Sequence, residues 1–180
     1  DVINAQEGFF DVESVWPKLE QALRQAISNL VAMRETEGSN IYGDFIKRAD
    51  LIAEKLAVIE ERSPQVVEEY QTRLSDRINE LLAKHNQVIE PERLLQEVAI
   101  FADRTSITEE IVRLKSHIKQ FKLIIDADQP VGRKLDFLIQ EFNREANTIA
   151  SKANDYTLAQ VVVEIKAEIE KIREQIQNIE

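Results

Sequence analysis

The stretch PVGRKLDFLIQEFNREANTIASK, residues 130–152, joins a structural pattern to an unusual polar one. Leu135, Leu138, Phe142, Ala146 and Ile149 recur at steps of three and four, the stripe of an amphipathic helix packed on a core. At about 100° per residue, Glu141, Glu145 and Lys152 line one flank of that stripe and Asp136, Gln140, Asn143 and Asn147 the other. Arg133, Phe137 and Arg144 face outward. Solubility alone is served by Lys and Glu pairs, whereas this helix carries asparagines and an outward aromatic, so its polar faces invite a functional reading.

Working outward, the same helical spacing recurs almost throughout, and Gly 4 and Pro 4 in 180 residues leave little punctuation, so the class is all-α. Roughly seven helices are expected from these signals. Ser14 with Pro17 opens the first, with the stripe Leu19, Leu23, Ile27 and Leu30. A break or kink at Gly38 to Gly43 precedes a second through Ile46, Ala49, Ile52, Leu56 and Ile59, and Ser63-Pro64 reads as a stop and restart before Val67, Tyr70, Leu74, Ile78 and Leu81. These segments suggest a long helical hairpin or coil arm over residues 1–90. A compact carboxy-terminal helical domain over residues 91–180 then holds the candidate site. Pro91 opens its first helix, and Ser106-x-x-Glu109 has the form of a capping box. Ile107, Ile111, Leu114, Ile118, Phe121 and Ile125, and later Leu158, Val162, Ile165, Ile169, Ile172, Ile176 and Ile179, follow seven-residue repeats that seek partner helices. Asp126 to Gly132 is the connector between two of these helices.

The absence of cysteine removes disulfides and thiolate metal sites and fits a reducing compartment. No apolar run approaches the length of a membrane span and no signal peptide opens the chain, so a soluble cytoplasmic protein is the expectation. The start at Asp1 without Met suggests a fragment or trimmed product.

A net charge of −10 argues at first against nucleic acid, but its distribution is uneven. Residues 1–103 hold 11 Lys and Arg against 20 Asp and Glu, residues 104–134 hold 7 against 4, and residues 135–180 hold 5 against 9. A basic island sits between acidic arms. It suits a phosphate backbone, and equally a solvated cationic helix face.

Available chemistry rests on carboxylates, amides and His117, since no Gly-rich phosphate loop, Cys nucleophile or Gly-x-Ser-x-Gly elbow is present. Gly132-Arg133-Lys134 is one glycine at a helix start, and His85, near an arm-helix end, is assigned no role. Glu110 and His117 share the rim of a buried seam two turns apart, with Arg113 on the same side. With Glu141 or Glu145 facing them from the next helix, and Glu97 as a further oxygen, they are plausible ligands for a hard or borderline divalent ion. The same residues also suit an Arg113-centred network of interhelical ion pairs.

Longer motifs carry a resemblance. MRETEG at Met33 to Gly38, RSPQVVEEY at Arg62 to Tyr70, ERLLQEVAIFADR at Glu92 to Arg104, ITEEIVRLKSHIKQF at Ile107 to Phe121, the residue 130–152 stretch, and EIEKIREQIQNIE at the end stand in fixed order. In these the chain resembles the YicC/YloC family of stress-associated bacterial endoribonucleases. The resemblance implies a metal-dependent enzyme that cuts RNA internally and assembles as a ring-like hexamer. It also implies a preceding domain of roughly a hundred residues, which makes this chain the carboxy-terminal part. Within the matching motifs, Glu110, Glu141, Glu145 and His117 are the expected catalytic set. With Glu97, they are the expected ligands for Mn2+ or Mg2+. Arg104, Arg113, Lys115, Lys119, Arg133 and Arg144 are expected to guide RNA without DNA specificity, with Phe137 a stacking surface or an oligomer contact. The alternative is a noncatalytic helical oligomerisation or adaptor module for RNA decay.

Overall fold

The computed structural model describes residues 12–83, 90–127, 129–177 and 179. Five helices follow one another among them: α1 (Val12–Ala83), α2 (Pro91–Arg104), α3 (Thr108–Ile125), α4 (Gly132–Lys152) and α5 (Tyr156–Ile176). No strand occurs among the described residues, and none of their helices is long and apolar enough to cross a membrane. His85 lies outside the described residues.

The three expected amino-terminal segments are one helix. α1 starts ahead of Ser14 and continues through Gly38, Gly43 and the Ser63-Pro64 pair, which overturns the expected break and restart. Pro64 cannot donate to the Glu60 carbonyl and crowds it, at a cost of about 3 kcal/mol in a helix interior. Packing offsets that cost. Phe45, Ala49, Ile52, Leu56, Ile59 and Val66 are all buried along one stripe that runs past the proline on both sides. At Gly38 and Gly43 no neighbour approaches the place of a Cβ, so neither glycine answers a crowding need.

Contacts group the chain into two units, Asp1–Gly43 and Asp44–Glu180. In the first unit Leu19, Leu23, Ile27 and Leu30 form the expected stripe but stay about half exposed. In the second, α4 packs against both α3 and α5, and α1 reaches α3 through Phe45 and α5 through Arg48. Phe45 of α1 meets Phe121 of α3 edge-on at 5.5 Å, and Phe121 meets Phe142 of α4 at 5.9 Å. Such tilted rings add a quadrupole term to the area they bury. The two heptad seams are internal here: Ile107, Ile111, Leu114, Ile118 and Phe121, and Leu158 to Ile176 at the same spacing, are buried. α2 is tied to α1 by Tyr70 and Phe101, stacked at 3.7 Å.

Two helix starts show how the chain is turned. The expected capping box does not form: α3 is capped by Ile107 with no side-chain hydrogen bond, so Ser106 falls one residue outside the cap. α5 does have a side-chain cap, where Asp155 Oδ1 accepts from the Leu158 N–H at 2.9 Å. The other oxygen of Asp155 accepts from Arg62 at 2.9 Å, and Arg62 also donates to Glu69. Thus one arginine of α1 holds the α4–α5 connector, and the pair keeps the Asp155 carboxyl below the usual carboxylate range.

Candidate metal centre

α3 and α4 are joined by a short connector and run antiparallel, so their polar flanks meet as successive rungs. The first is Lys152 with Glu110, at 2.9 Å. The second brings Arg113 within 3.9 Å of Glu145. At the third, His117, Glu141 and Glu145 each offer a ligand atom, all within 4.8 Å of one another. His117 and Glu141 are half-buried and Glu145 is 2 % exposed, because the α4 stripe that buries Phe142 and Ala146 draws its neighbour in with it.

Several details fit a divalent ion. His117 Nδ1 is buried and has no hydrogen-bond partner, a state that costs free energy unless something occupies the nitrogen. The imidazole lies near the Phe142 ring, 6.4 Å between centroids with the planes inclined at 28°. Octahedral Mg2+ holds its donors about 3 Å apart when adjacent and about 4 Å apart when opposite, so small side-chain rotations would bring the three donors into range. The two carboxylates suit Mn2+ and Mg2+ alike, and the imidazole favours Mn2+, the less hard of the two.

Competing cations stand nearby. Arg144 lies 3.5 Å from Glu141, and Arg113 reaches toward Glu145 while hydrogen-bonded to Glu109. The 3.9 Å Arg113 contact exceeds hydrogen-bond range, so Glu145 is not saturated by it. The Arg113 ion pairs and the grouping of His117, Glu141 and Glu145 therefore stand on adjoining rungs.

The other expected ligands are elsewhere. Glu110 is seven residues from His117, about 10.5 Å along the helix axis, and is committed to Lys152. It is 5 % exposed, and burial opposes its ionisation. The Lys152 hydrogen bond, its own backbone amide and the Lys152 and Arg113 charges outweigh that, holding its carboxyl below the usual range. Its second oxygen, Oε2, is buried without a partner. Glu97 is exposed on α2 and is not among the clustered donors.

The basic island is partly spent on structure. Lys115 pairs with Glu60 of α1 at 2.5 Å, as Lys122 does with Asp50. Arg104, Lys119 and Arg133 are exposed and, among the described residues, in no ion pair. Phe137 is 64 % exposed, as its outward position on the wheel predicts. It lines an open groove of about 420 Å3 that begins at His117 and Glu141 and includes Gln120, Arg133 and Lys134. Sequence reasoning missed Gln120 and Lys134 as site residues. Gln120 stands three residues beyond His117, and that spacing was the available signal.

The clustered donors and the groove residues all fall within residues 59–180, which match the family described as "Endoribonuclease YicC-like, C-terminal". The chain belongs to the YicC-like endoribonuclease family. Two relatives extend the likeness over the arm: a probable endoribonuclease YicC of Clostridioides difficile, 50 % identical over 180 residues, and one of Haemophilus influenzae, 36 % identical over 179. The alignments cover 100 % and 99 % of this YicC-like chain and 61 % and 60 % of the relatives, so it spans about three fifths of their length.

Proposed function

We propose that this chain carries the metal-binding centre of an endoribonuclease, with His117, Glu141 and Glu145 holding Mn2+ or Mg2+. The observation that carries the reading is the convergence of three ligand atoms within 4.8 Å, one of them on a histidine with a buried, unpartnered nitrogen. A bound divalent ion supplies Lewis acidity, lowering the pKa of an attacking hydroxyl and neutralising charge on the scissile phosphate. The chain's own groups do the rest. Glu145, buried, forms the inner side of the site, with the buried Phe142 ring beside the imidazole. Glu141, half-buried at the mouth, is the nearer base for the proton of the attacking hydroxyl. Arg113 and Arg144 flank the carboxylates and can turn from them to phosphate oxygens. Glu110 belongs to the support beneath: its pair with Lys152 locks α3 to α4 one rung beyond Arg113. Arg104, Lys119 and Arg133 extend the positive path for RNA, in a cytoplasmic and oligomeric enzyme, hexameric as the resemblance implies.

The test separates metal from cleavage. Mn2+ binding followed by electron paramagnetic resonance is expected to weaken by at least about 10-fold in His117→Ala and Glu141→Gln, with helicity retained, and labelled RNA is expected to stay intact with either variant or with chelator. Mn2+ affinity and cleavage unchanged in the folded variants would remove both residues from the centre.

The half-exposed stripe from Trp16 to Leu30 favours a second reading, a noncatalytic assembly module. It predicts oligomers that bind no Mn2+ and leave RNA whole.

A further inference from the structure

Along α4, three kinds of chemistry follow one another at one-turn intervals on the side that opens to the groove. Arg133 and Lys134 come first, Phe137 follows one turn later, and Glu141 of the metal centre one turn after that. Across the groove α3 contributes Gln120 and His117. Neither cation is in an ion pair among the described residues, and the Gln120 amide has no hydrogen-bond partner there. An exposed phenyl ring beside two uncommitted cations is costly to keep in water and suited to a ligand with an aromatic face and an anionic group.

We propose that the groove is the subsite for the nucleotide next to the scissile phosphate. Its base stacks on Phe137, its outer phosphate meets Arg133 and Lys134, and the Gln120 amide hydrogen-bonds the base edge. This deepens the metal-centre reading and rests on it for direction: with the scissile phosphate at His117 and Glu141, the next phosphate lies toward the start of α4. Arg133 and Glu141 are eight residues apart, about 12 Å along the helix, a span that the long arginine and lysine side chains shorten. The volume of about 420 Å3 is within the range of small-ligand pockets. Because every base has a π face, the stack tolerates any of them, and selectivity is left to the single amide.

Fluorescein-labelled hexa-adenylate, titrated into the full-length protein in chelator, reads this site without metal or cleavage. Phe137→Ala is expected to weaken binding roughly 5- to 150-fold, the worth of one base stack, while Phe137→Trp binds at least as well as the wild type. Removing both Arg133 and Lys134 is expected to flatten the slope of log affinity against log salt by about 0.7, the worth of one single-strand phosphate contact. The ring is exposed, so these variants should keep the wild-type melting temperature. Wild-type affinity in Phe137→Ala overturns the proposal. So does a change of sedimentation coefficient in Phe137→Ala with unchanged affinity per protomer, which makes the ring a contact between copies. Loss of Mn2+ binding in the His117 variant is a separate readout, so the metal reading and the groove can fail independently.

Discussion

Lys152 and Glu110 show how one residue can be held by another's charge. The Glu110 carboxyl sits below its ordinary value, so the stability it contributes is present above the usual glutamate pKa near about 4.3 and fades as pH falls through the lower folded-state value. Lys152 is the support for that state, and without it burial acts unopposed by its strongest partner. Lys152→Met is therefore expected to destabilise by about 1–3 kcal/mol at pH 7, a discounted figure because the lysine is partly exposed. The loss should shrink toward pH 4, where the buried carboxyl can protonate. Adding Glu110→Gln should recover part of it, and urea unfolding of the two variants at both pH values checks the sign. A Lys152→Met chain that is equally stable at pH 7 would mean the pair contributes little. At this scale the site was half legible. The helical wheel put Glu110, His117, Glu141 and Glu145 on facing flanks, which is a statement about direction around an axis. It carries no height along that axis, and the seven-residue rise between Glu110 and His117 assigns one to a lysine and the other to the cluster.

Element by element, α1 is where local rules lost to packing. Ser-Pro and paired glycines punctuate most helices, and here a buried stripe outweighs them because six side chains from Phe45 to Val66 are removed from water on one continuous face. The penalties they carry are still present. Pro64→Ala is expected to raise stability by about 1–3 kcal/mol, restoring one backbone hydrogen bond. Gly43→Ala should add about 0.5–1 kcal/mol, since nothing meets the new methyl group. Calorimetric melting decides both, and a lower melting temperature for Pro64→Ala would show that the helix needs the proline's geometry. The heptads of α3 and α5 were legible because each is a long, regular stripe. Their partners were not, since periodicity shows that a face must be covered but not by which helix. The capping box failed for a smaller reason: a one-residue shift in the helix start moved Ser106 out of reach.

For the molecule as a whole, the charge pattern takes on a different sense once contacts are known. The acidic residues of the arm and the basic island are not separate regions of potential, because Glu60 and Asp50 neutralise Lys115 and Lys122 across helices. Sequence arithmetic counts charges in order along the chain, and folding pairs them out of order. What remains uncommitted is a smaller set, Arg104, Lys119, Arg133 and Lys134, half of it in the groove beside His117 and Glu141. The resemblance of six motifs pointed to this region, while the pairing of Glu110 with Lys152 and of His117 with Glu141 comes from the antiparallel register of α3 and α4.

Arg62 and Asp155 carry one more consequence. Asp155 both starts α5 and accepts from Arg62, so a single carboxylate closes one helix and fastens another. Fraying at the turn before α5 cannot be a private event of that turn. Amide hydrogen exchange of Leu158 and of the α1 residues around Arg62 should therefore share one opening free energy in the native protein. In Asp155→Asn, which keeps an oxygen for the cap but loses the charge, the α1 amides should exchange faster and Leu158 much less so.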